Sequence, residues 1–164
     1  MSIVLDGTNG ITTVSGVIVP NSTNGITGTT TNDNANTGAV GEFVSSIVAN
    51  TVSLTSGTIT NLTSVSLTAG DWDVWGVVTF ASNSQPSTIS SSNSAVSSTN
   101  NNFSERQGRT PLTPAHVYGY DTDVPCTMTR YSLSSTSSIY LNASVVFSGG
   151  VMAAGGFIGA RRRR

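Results

Sequence analysis

The feature that most constrains this chain is a ten-residue run in which apolar and polar side chains alternate. From Asp71 to Phe80 it reads Asp-Trp-Asp-Val-Trp-Gly-Val-Val-Thr-Phe. In an extended strand successive side chains point to opposite faces, so the even positions from Trp72 to Phe80 share one face and the odd positions from Asp71 to Thr79 share the other. The run predicts a strand in which Trp72 is buried.

The composition excludes a helical protein. The chain has no Lys, two Glu and two Gln, whereas an exposed helix face needs such residues to be stable in water. Val and Ile together occur 27 times against seven Leu, which favours strands. Leu, Ile, Val and Phe make up 39 of 164 residues and the net charge is −1, a combination that favours folding over disorder. We therefore predict an all-β fold.

The pattern from residue 40 onward predicts an antiparallel β-sandwich of the jelly-roll kind, residues 40–164, because short strands recur at intervals typical of two packed sheets. Residues 82–111 are rich in Ser, Thr and Asn and predict a long surface loop around one weak strand. The candidate strands are 43–48, 51–54, 59–67, 71–80, 89–96, 115–120, 125–133, 138–147 and 151–160.

Residues 1–39 differ from the rest and predict an extended N-terminal docking arm. The phrase Thr-Asn-Gly-Ile-Thr occurs at 8–12 and again at 23–27, and Asn-Gly is a strong turn signal. The short apolar segment 14–19 cannot form a core alone, so we expect the arm to lie on another surface; a flexible Thr-rich leader is the alternative. The candidate docking residues are Ile3, Val4, Leu5, Ile11, Val17, Ile18, Val19 and Ile26.

Little in the sequence points to catalysis, to a metal or to a cofactor. His116 is the one histidine, no second histidine is available for a metal site, and no nucleophile elbow or phosphate loop is present. Cys126 is interpreted as a small core residue. The weakly charged segment 145–160 is too short for a membrane helix and is interrupted by glycines. We expect a non-enzymatic protein without a cofactor, a secretory signal or a membrane partner.

Two pairs of carboxylates, Asp71 with Asp73 and Asp121 with Asp123, could each hold a cation or hydrogen-bond a sugar. Structural roles are favoured for both, because neither pair has the spaced loop of a calcium site. The second pair follows two tyrosines. The candidate ligand loop consists of Tyr118, Tyr120, Asp121 and Asp123.

Four arginines, Arg161, Arg162, Arg163 and Arg164, follow the last predicted strand directly. We expect them to alternate sides at the end of a sheet and to pair with acidic residues of the same or a neighbouring subunit. We assign them to inter-subunit contacts. Binding to nucleic acid by counterion release is the alternative, and it is disfavoured because no aromatic-rich basic face accompanies them.

The segments 66–80, 139–144 and 156–164 resemble small structural proteins of tailed bacteriophages, which are described as capsid-decoration or tail-fibre tip modules. The resemblance covers residues 40–164, and residues 82–113 depart from it. It implies a homotrimer of β-sandwich or jelly-roll domains in a virion assembled in the host cytoplasm. The implied partners are further copies of the chain and the major capsid protein or another virion protein.

The short leading segment favours one of these roles. Forty extended residues reach at most about 130 Å, so we expect the protein to sit directly on a surface as a capsid decoration (cement) protein. The alternative is a tail-fibre tip or receptor-binding module that recognises a host glycan. A glycan-processing enzyme would need two carboxylates facing each other across a groove at about 5–10 Å, and the sequence offers no such pair.

Overall fold

A computed structural model describes residues 30–84, 87–103, 105, 107–112, 116–118 and 121–164, with side chains described for all of these except 82–84, 87 and 116–118. The chain divides into two compact units, Met1–Asp33 and Asn34–Arg164. The fold described below is that of the second unit. The predicted docking residues, from Ile3 to Ile26, lie outside the described residues, so the predicted docking arm stays a prediction.

The described chain forms nine strands in two antiparallel sheets. One sheet has the order β1-β9-β3-β7, and the other has the order β2-β8-β4-β5, with β6 also pairing with β4. The strands are β1 (Phe43–Leu54), β2 (Thr60–Leu67), β3 (Gly70–Ser84), β4 (Ser87–Ser97), β5 (Arg109–Leu112), β6 (His116–Tyr118), β7 (Thr122–Leu133), β8 (Ser137–Ser148) and β9 (Val151–Arg162).

The pairing is that of a long hairpin rolled into a sandwich. The first strand pairs with the last, β2 with β8, and β3 with β7. Both β5 and β6 pair with β4, at successive stretches of its length, so together they act as one interrupted strand. This arrangement is a jelly roll. The predicted all-β sandwich is confirmed.

The core lies between the two sheets, and the predicted register of β3 is confirmed. Trp72, Val74, Val78 and Phe80 have no exposed surface. Opposite them the inward residues of β8, from Ile139 to Val145, are buried as well. Alternation in β3 therefore identified the buried face correctly.

Two elements differ from the sequence-based expectation. β1 is continuous across the predicted break at 49–50, where its register shifts between Val48 and Val52. β5 lies inside the predicted surface loop and pairs with Ser92–Ala95 of β4. Its four residues are too few to show an apolar pattern in the sequence, although Leu112 packs against the core. Pro111 is tolerated because the strand lies at a sheet edge.

Candidate interaction surface

The outer face of the β1-β9-β3-β7 sheet carries apolar side chains where a solvated sheet would carry polar ones. Ile47 lies opposite Phe157 on β9, which lies opposite Val77 on β3. Ile47 is 80% exposed, and Phe157 and Val77 are half-buried. We call this surface, together with Phe43 and Trp75, the apolar face.

Aromatic rings pack against one another at one end of the apolar face. The rings of Phe43 and Trp75 stack with centroids 5.9 Å apart and an interplanar angle of 30°. A Cβ on Gly159 would lie 3.0 Å from the ring of Phe157 and 3.1 Å from that of Trp75. The two rings therefore pack over Gly159, and a larger residue there would meet both of them.

A concavity of about 560 Å³ opens in the middle of this sheet. Its lining is largely apolar and ends at two polar side chains. The lining residues are Ile47, Val48, Ala49, Asn50, Val77, Thr79, Gly156 and Phe157.

Two carboxylates mark one end of the apolar face. The amide of Asn50 donates a hydrogen bond to Asp121 (Nδ2–Oδ2 2.8 Å), and the hydroxyl of Thr79 donates one to Asp123 (Oγ1–Oδ1 2.6 Å). Both aspartates are exposed, and both donors are neutral. The two aspartates give this end of the apolar face two negative charges, and we call it the acidic end.

The predicted ligand loop stays a prediction. Tyr118 lies in β6, but its side chain and the whole of Tyr120 lie outside the described parts of the chain.

Arginines surround two aspartates at the opposite end. Asp71 accepts two hydrogen bonds from Arg130 (Nε–Oδ1 2.6 Å and Nη2–Oδ2 2.8 Å) and pairs with Arg164 (Nε–Oδ2 3.1 Å). Arg163 lies 3.4 Å from Asp73 (Nε–Oδ2). The hydrogen bonds from Arg130 hold the pKa of Asp71 below its ordinary value despite burial. The charged pairs form the basic end of the apolar face.

The inward-facing Arg162 lies beneath this end and is buried. Its guanidinium stacks on the ring of Trp72, 4.4 Å from the centroid, and it donates hydrogen bonds to Glu42 (Nε–Oε2 2.9 Å) and to the carbonyl of Ala69 (2.8 Å). Burial raises the pKa of Glu42, but the N–H of Gly38 and Arg162 outweigh it and leave that pKa below its ordinary value. These contacts tie the first strand to the last.

The glycine that precedes Asp71 makes room for this buried arginine. Gly70 has φ = 140°, and a Cβ there would lie 1.9 Å from Nη1 of Arg162. No other residue fits this position without moving the guanidinium.

Arg161, Arg162 and Arg163 alternate sides as the sequence predicts, but Arg164, beyond the end of β9, lies with Arg163 against the aspartates of the outer face. Arg162 points inward, whereas Arg161 is exposed on the outer face opposite Asp73 of β3. Among the described residues Arg161 forms no ion pair. Arg162, Arg163 and Arg164 pair within the chain; the inter-subunit role assigned to the four stays a prediction.

The outer face of the other sheet is largely polar, with Val146 as an exposed apolar exception. Asn93 donates to the hydroxyl of Ser144 (3.3 Å) and accepts a hydrogen bond from Arg109 (Nη2–Oδ1 2.7 Å). The buried amide of Asn142 donates to the carbonyls of Thr99 and Asn102, each at 3.0 Å, which holds the loop after β4 against β8. The two outer faces of the sandwich thus differ in chemistry.

Two buried groups that could ionise, the Cys126 thiol and the Tyr131 hydroxyl, are held in their neutral forms by their surroundings. Burial raises the pKa of the Cys126 thiol to about 11. Burial and the neighbouring Glu105 also raise the pKa of Tyr131, whose hydroxyl donates a hydrogen bond to that carboxylate (3.0 Å). Within the described ranges no group of three or more His, Cys, Asp or Glu residues is placed to hold a metal ion. In the described parts of the chain no helix is long and apolar enough to cross a bilayer.

Sequence reasoning did not identify the apolar face, although a signal was present. On β3 the face opposite Trp72 carries Trp75 and Val77 between polar neighbours. Apolar residues on both faces of a strand predict burial on both faces. The remaining members, Phe43, Ile47 and Phe157, lie on strands whose adjacency the sequence does not reveal.

Together these features define a jelly-roll sandwich with one apolar and one polar outer face. No known family model matches the sequence, and no curated protein matches it. Two solved structures of infectious bursal disease virus are similar in structure. The one of strain Gx has 15% identity and a TM-score of 0.38, and the one of strain Gt has 16% identity and a TM-score of 0.40. Each comparison covers 77% of this chain and 32% of the other, so this chain spans about a third of the length of the chains it matches.

Proposed function

We propose that this protein is a non-enzymatic structural component of a bacteriophage virion, a homotrimeric decoration protein whose N-terminal arm docks on the capsid surface. The observation that carries the proposal is the two-sided jelly roll, in which one outer face is apolar and the other is polar. In this proposal the protein joins the virion as it assembles in the host cytoplasm.

The contrast between the two outer faces supports a role in assembly. An exposed apolar patch rimmed by charges is typical of a surface that contacts another protein. Ile47, 80% exposed, and Phe43, 39% exposed, lie on this patch. The opposite face, with Asn93 and Ser144, is suited to water. A structural protein that contacts its neighbours through one face and water through the other needs one apolar face and one polar face.

The arm supplies the second contact of the proposal. Residues 14–19 form a short apolar segment that cannot bury itself. Three arms on one trimer would bind together, so that three weak contacts act with high avidity. A decoration protein needs this property because it must hold a repetitive surface without strong single sites.

A tail-fibre tip that recognises a host glycan is the second candidate. The observation that favours it is the exposed pair Asp121 and Asp123, whose carboxylates accept hydrogen bonds only from neutral donors among the described residues. Sugar hydroxyls could donate to the remaining lone pairs.

Cosedimentation tests the proposed arm contact. We would mix full-length protein with empty capsids of the phage that encodes it and compare wild type with the triple variant Val17→Ser, Ile18→Ser, Val19→Ser. We expect wild type to pellet with capsids. The triple variant should bind them with an affinity at least about tenfold lower, because three apolar contacts per arm are lost. Val146→Ser, on the polar outer face, is the matched control and should bind as wild type.

Two results would count against the decoration role. Equal binding of the triple variant and wild type would overturn docking through the arm. Binding of wild type to host cells and not to capsids would favour the tail-fibre tip.

A further inference from the structure

We infer that the apolar face is the contact between copies of this chain, with the basic end of one copy meeting the acidic end of the next. The inference rests on the homotrimer proposed above and specifies the surface through which it forms. Four observations carry it: the charges at each end, their separation, the apolar middle and the polarity of the opposite sheet.

The two ends of the face carry opposite charge. At the basic end four arginines, Arg130, Arg161, Arg163 and Arg164, surround Asp71 and Asp73, which leaves an excess of two positive charges. At the acidic end no described cation pairs with Asp121 or Asp123. Each end therefore lacks a partner of opposite charge that a second copy can provide.

The ends are too far apart to neutralise each other within one chain. Arg161 and Asp73 pair at the basic end, and Gly155 and Thr79 pair at the acidic end. Along β9 and along β3 the two ends are therefore six residues apart. Six strand residues span about 20 Å. Exposed charges are screened beyond about 8 Å at physiological salt, so the attraction becomes effective only when another copy brings the ends together.

Apolar side chains fill the space between the ends. Ile47, Phe157 and Val77 lie in one row across three neighbouring strands, and Trp75 lies one row closer to the basic end. A partner that covers this row removes apolar surface from water and excludes water from the flanking ion pairs.

A head-to-tail arrangement around a three-fold axis satisfies these requirements. Each copy turns its apolar face toward the axis with its strands running around the ring, and each basic end contacts the acidic end of the neighbour. Such a contact is heterologous, and in the homotrimer proposed above it closes after three copies. A side-by-side arrangement of like ends would place arginines against arginines, which is repulsive.

Charge exchange tests the end-to-end pairing in the full-length chain. We would measure mass and dissociation constant by sedimentation velocity for Arg161→Asp, Asp123→Arg and the double variant. Each single reversal places like charges in contact and should raise the dissociation constant about tenfold or more. The double variant restores opposite charges and should return the constant to within about threefold of wild type.

A second pair of variants tests the apolar middle. Ile47→Asp should raise the dissociation constant about 30-fold or more, because it places a charge in the apolar row that the partner covers. Val146→Asp, at a residue 42% exposed on the outer face of the other sheet, is the matched control and should assemble as wild type. Circular dichroism should show both variants folded, since both side chains are exposed.

The results separate this inference from the proposed function. A wild-type monomer or dimer, an unaffected Ile47→Asp trimer, or a double variant no better than the single ones would each overturn the contact described here. Capsid binding is measured independently, so a chain that binds capsids as a monomer would retain the decoration role and lose this interface.

Discussion

Arg162 shows how a guanidinium can be buried in a chain with so few charges. Its four contacts are a carboxylate, an aromatic ring, a backbone carbonyl and the hydroxyl of Thr68. Each replaces part of the hydration lost on burial. The pair with Glu42 matters most, because a buried charge without its partner is strongly destabilising.

Trp72 is the largest side chain in the core without exposed surface. Its indole N–H donates to the carbonyl of Thr68 (3.0 Å). We predict that Trp72→Ala lowers the free energy of unfolding by about 3–5 kcal/mol, because it leaves a cavity and an unpaired carbonyl. Urea unfolding measures this change.

The matched control for Trp72 is the second tryptophan, Trp75, which is half-buried on the outer face. Trp75→Ala should destabilise the fold less, since the site can fill with water. In a Trp75→Phe background, acrylamide should quench the remaining Trp72 emission weakly. Strong quenching would show that Trp72 is accessible and would contradict the register of β3.

At the scale of elements, the ends of β1, β3 and β9 are held together by ion pairs. Glu42 precedes β1, Asp71 lies in β3, and Arg162 ends β9. The backbone joins them as well: the N–H of Arg162 donates to the carbonyl of Glu42 (2.9 Å), and that of Arg163 donates to the carbonyl of Asp71 (2.8 Å). The first and last strands of the roll are thereby closed against each other.

These ion pairs make the fold sensitive to acid. The pKa values of Glu42 and Asp71 are lowered in the folded chain from ordinary values of 4.5 and 3.8. The unfolded chain therefore binds more protons below those values. The stabilisation is fully present above them and is lost as pH falls through the lower folded pKa values. We predict that Tm falls most steeply below about pH 4.

Glu42→Gln is the control, because it cannot titrate at this position. It should have a lower Tm than wild type at pH 7 and a smaller fall in Tm between about pH 5 and pH 2. Parallel curves for the two proteins in thermal unfolding would show that Glu42 does not contribute to the acid sensitivity.

At the scale of the whole molecule, the two outer faces of the sandwich differ, one being apolar and the other largely polar. If copies associate through the apolar face, folding and assembly are linked by mass action. We predict that Tm of the wild-type chain rises with protein concentration between about 1 and 100 µM, whereas Tm of Ile47→Asp is lower and rises less over the low end of this range. Scanning calorimetry at several concentrations measures both. A wild-type Tm that is independent of concentration would contradict the linkage.

Much of the fold could be predicted because strand alternation and residue composition are patterns within short stretches of the sequence. Alternation identified β3 and its buried face, and the scarcity of Lys, Glu and Gln excluded helices. β5 could not be predicted in this way. Its residues, Arg109–Leu112, pair with Ser92–Ala95, which lie 14 to 20 positions earlier, and four residues are too few to show a hydrophobic pattern.

The candidate surface was less predictable, because its members are distant in the sequence. Ile47 and Phe157 are 110 residues apart, and they lie side by side only because the first strand pairs with the last. The run of four arginines from Arg161 to Arg164 is evident in the sequence. Only the tertiary structure shows that Arg162 is the one buried against Trp72.

The sequence by itself determined that the chain forms strands and which faces of β3 and β8 are buried, because strand period and residue type are local properties. The tertiary structure alone decided that those strands roll into a single jelly roll, that an apolar row crosses three of them on the outside, and that opposite charges stand at its two ends. Such properties depend on which strands become neighbours, and that choice follows from the packing of the whole core rather than from any one segment.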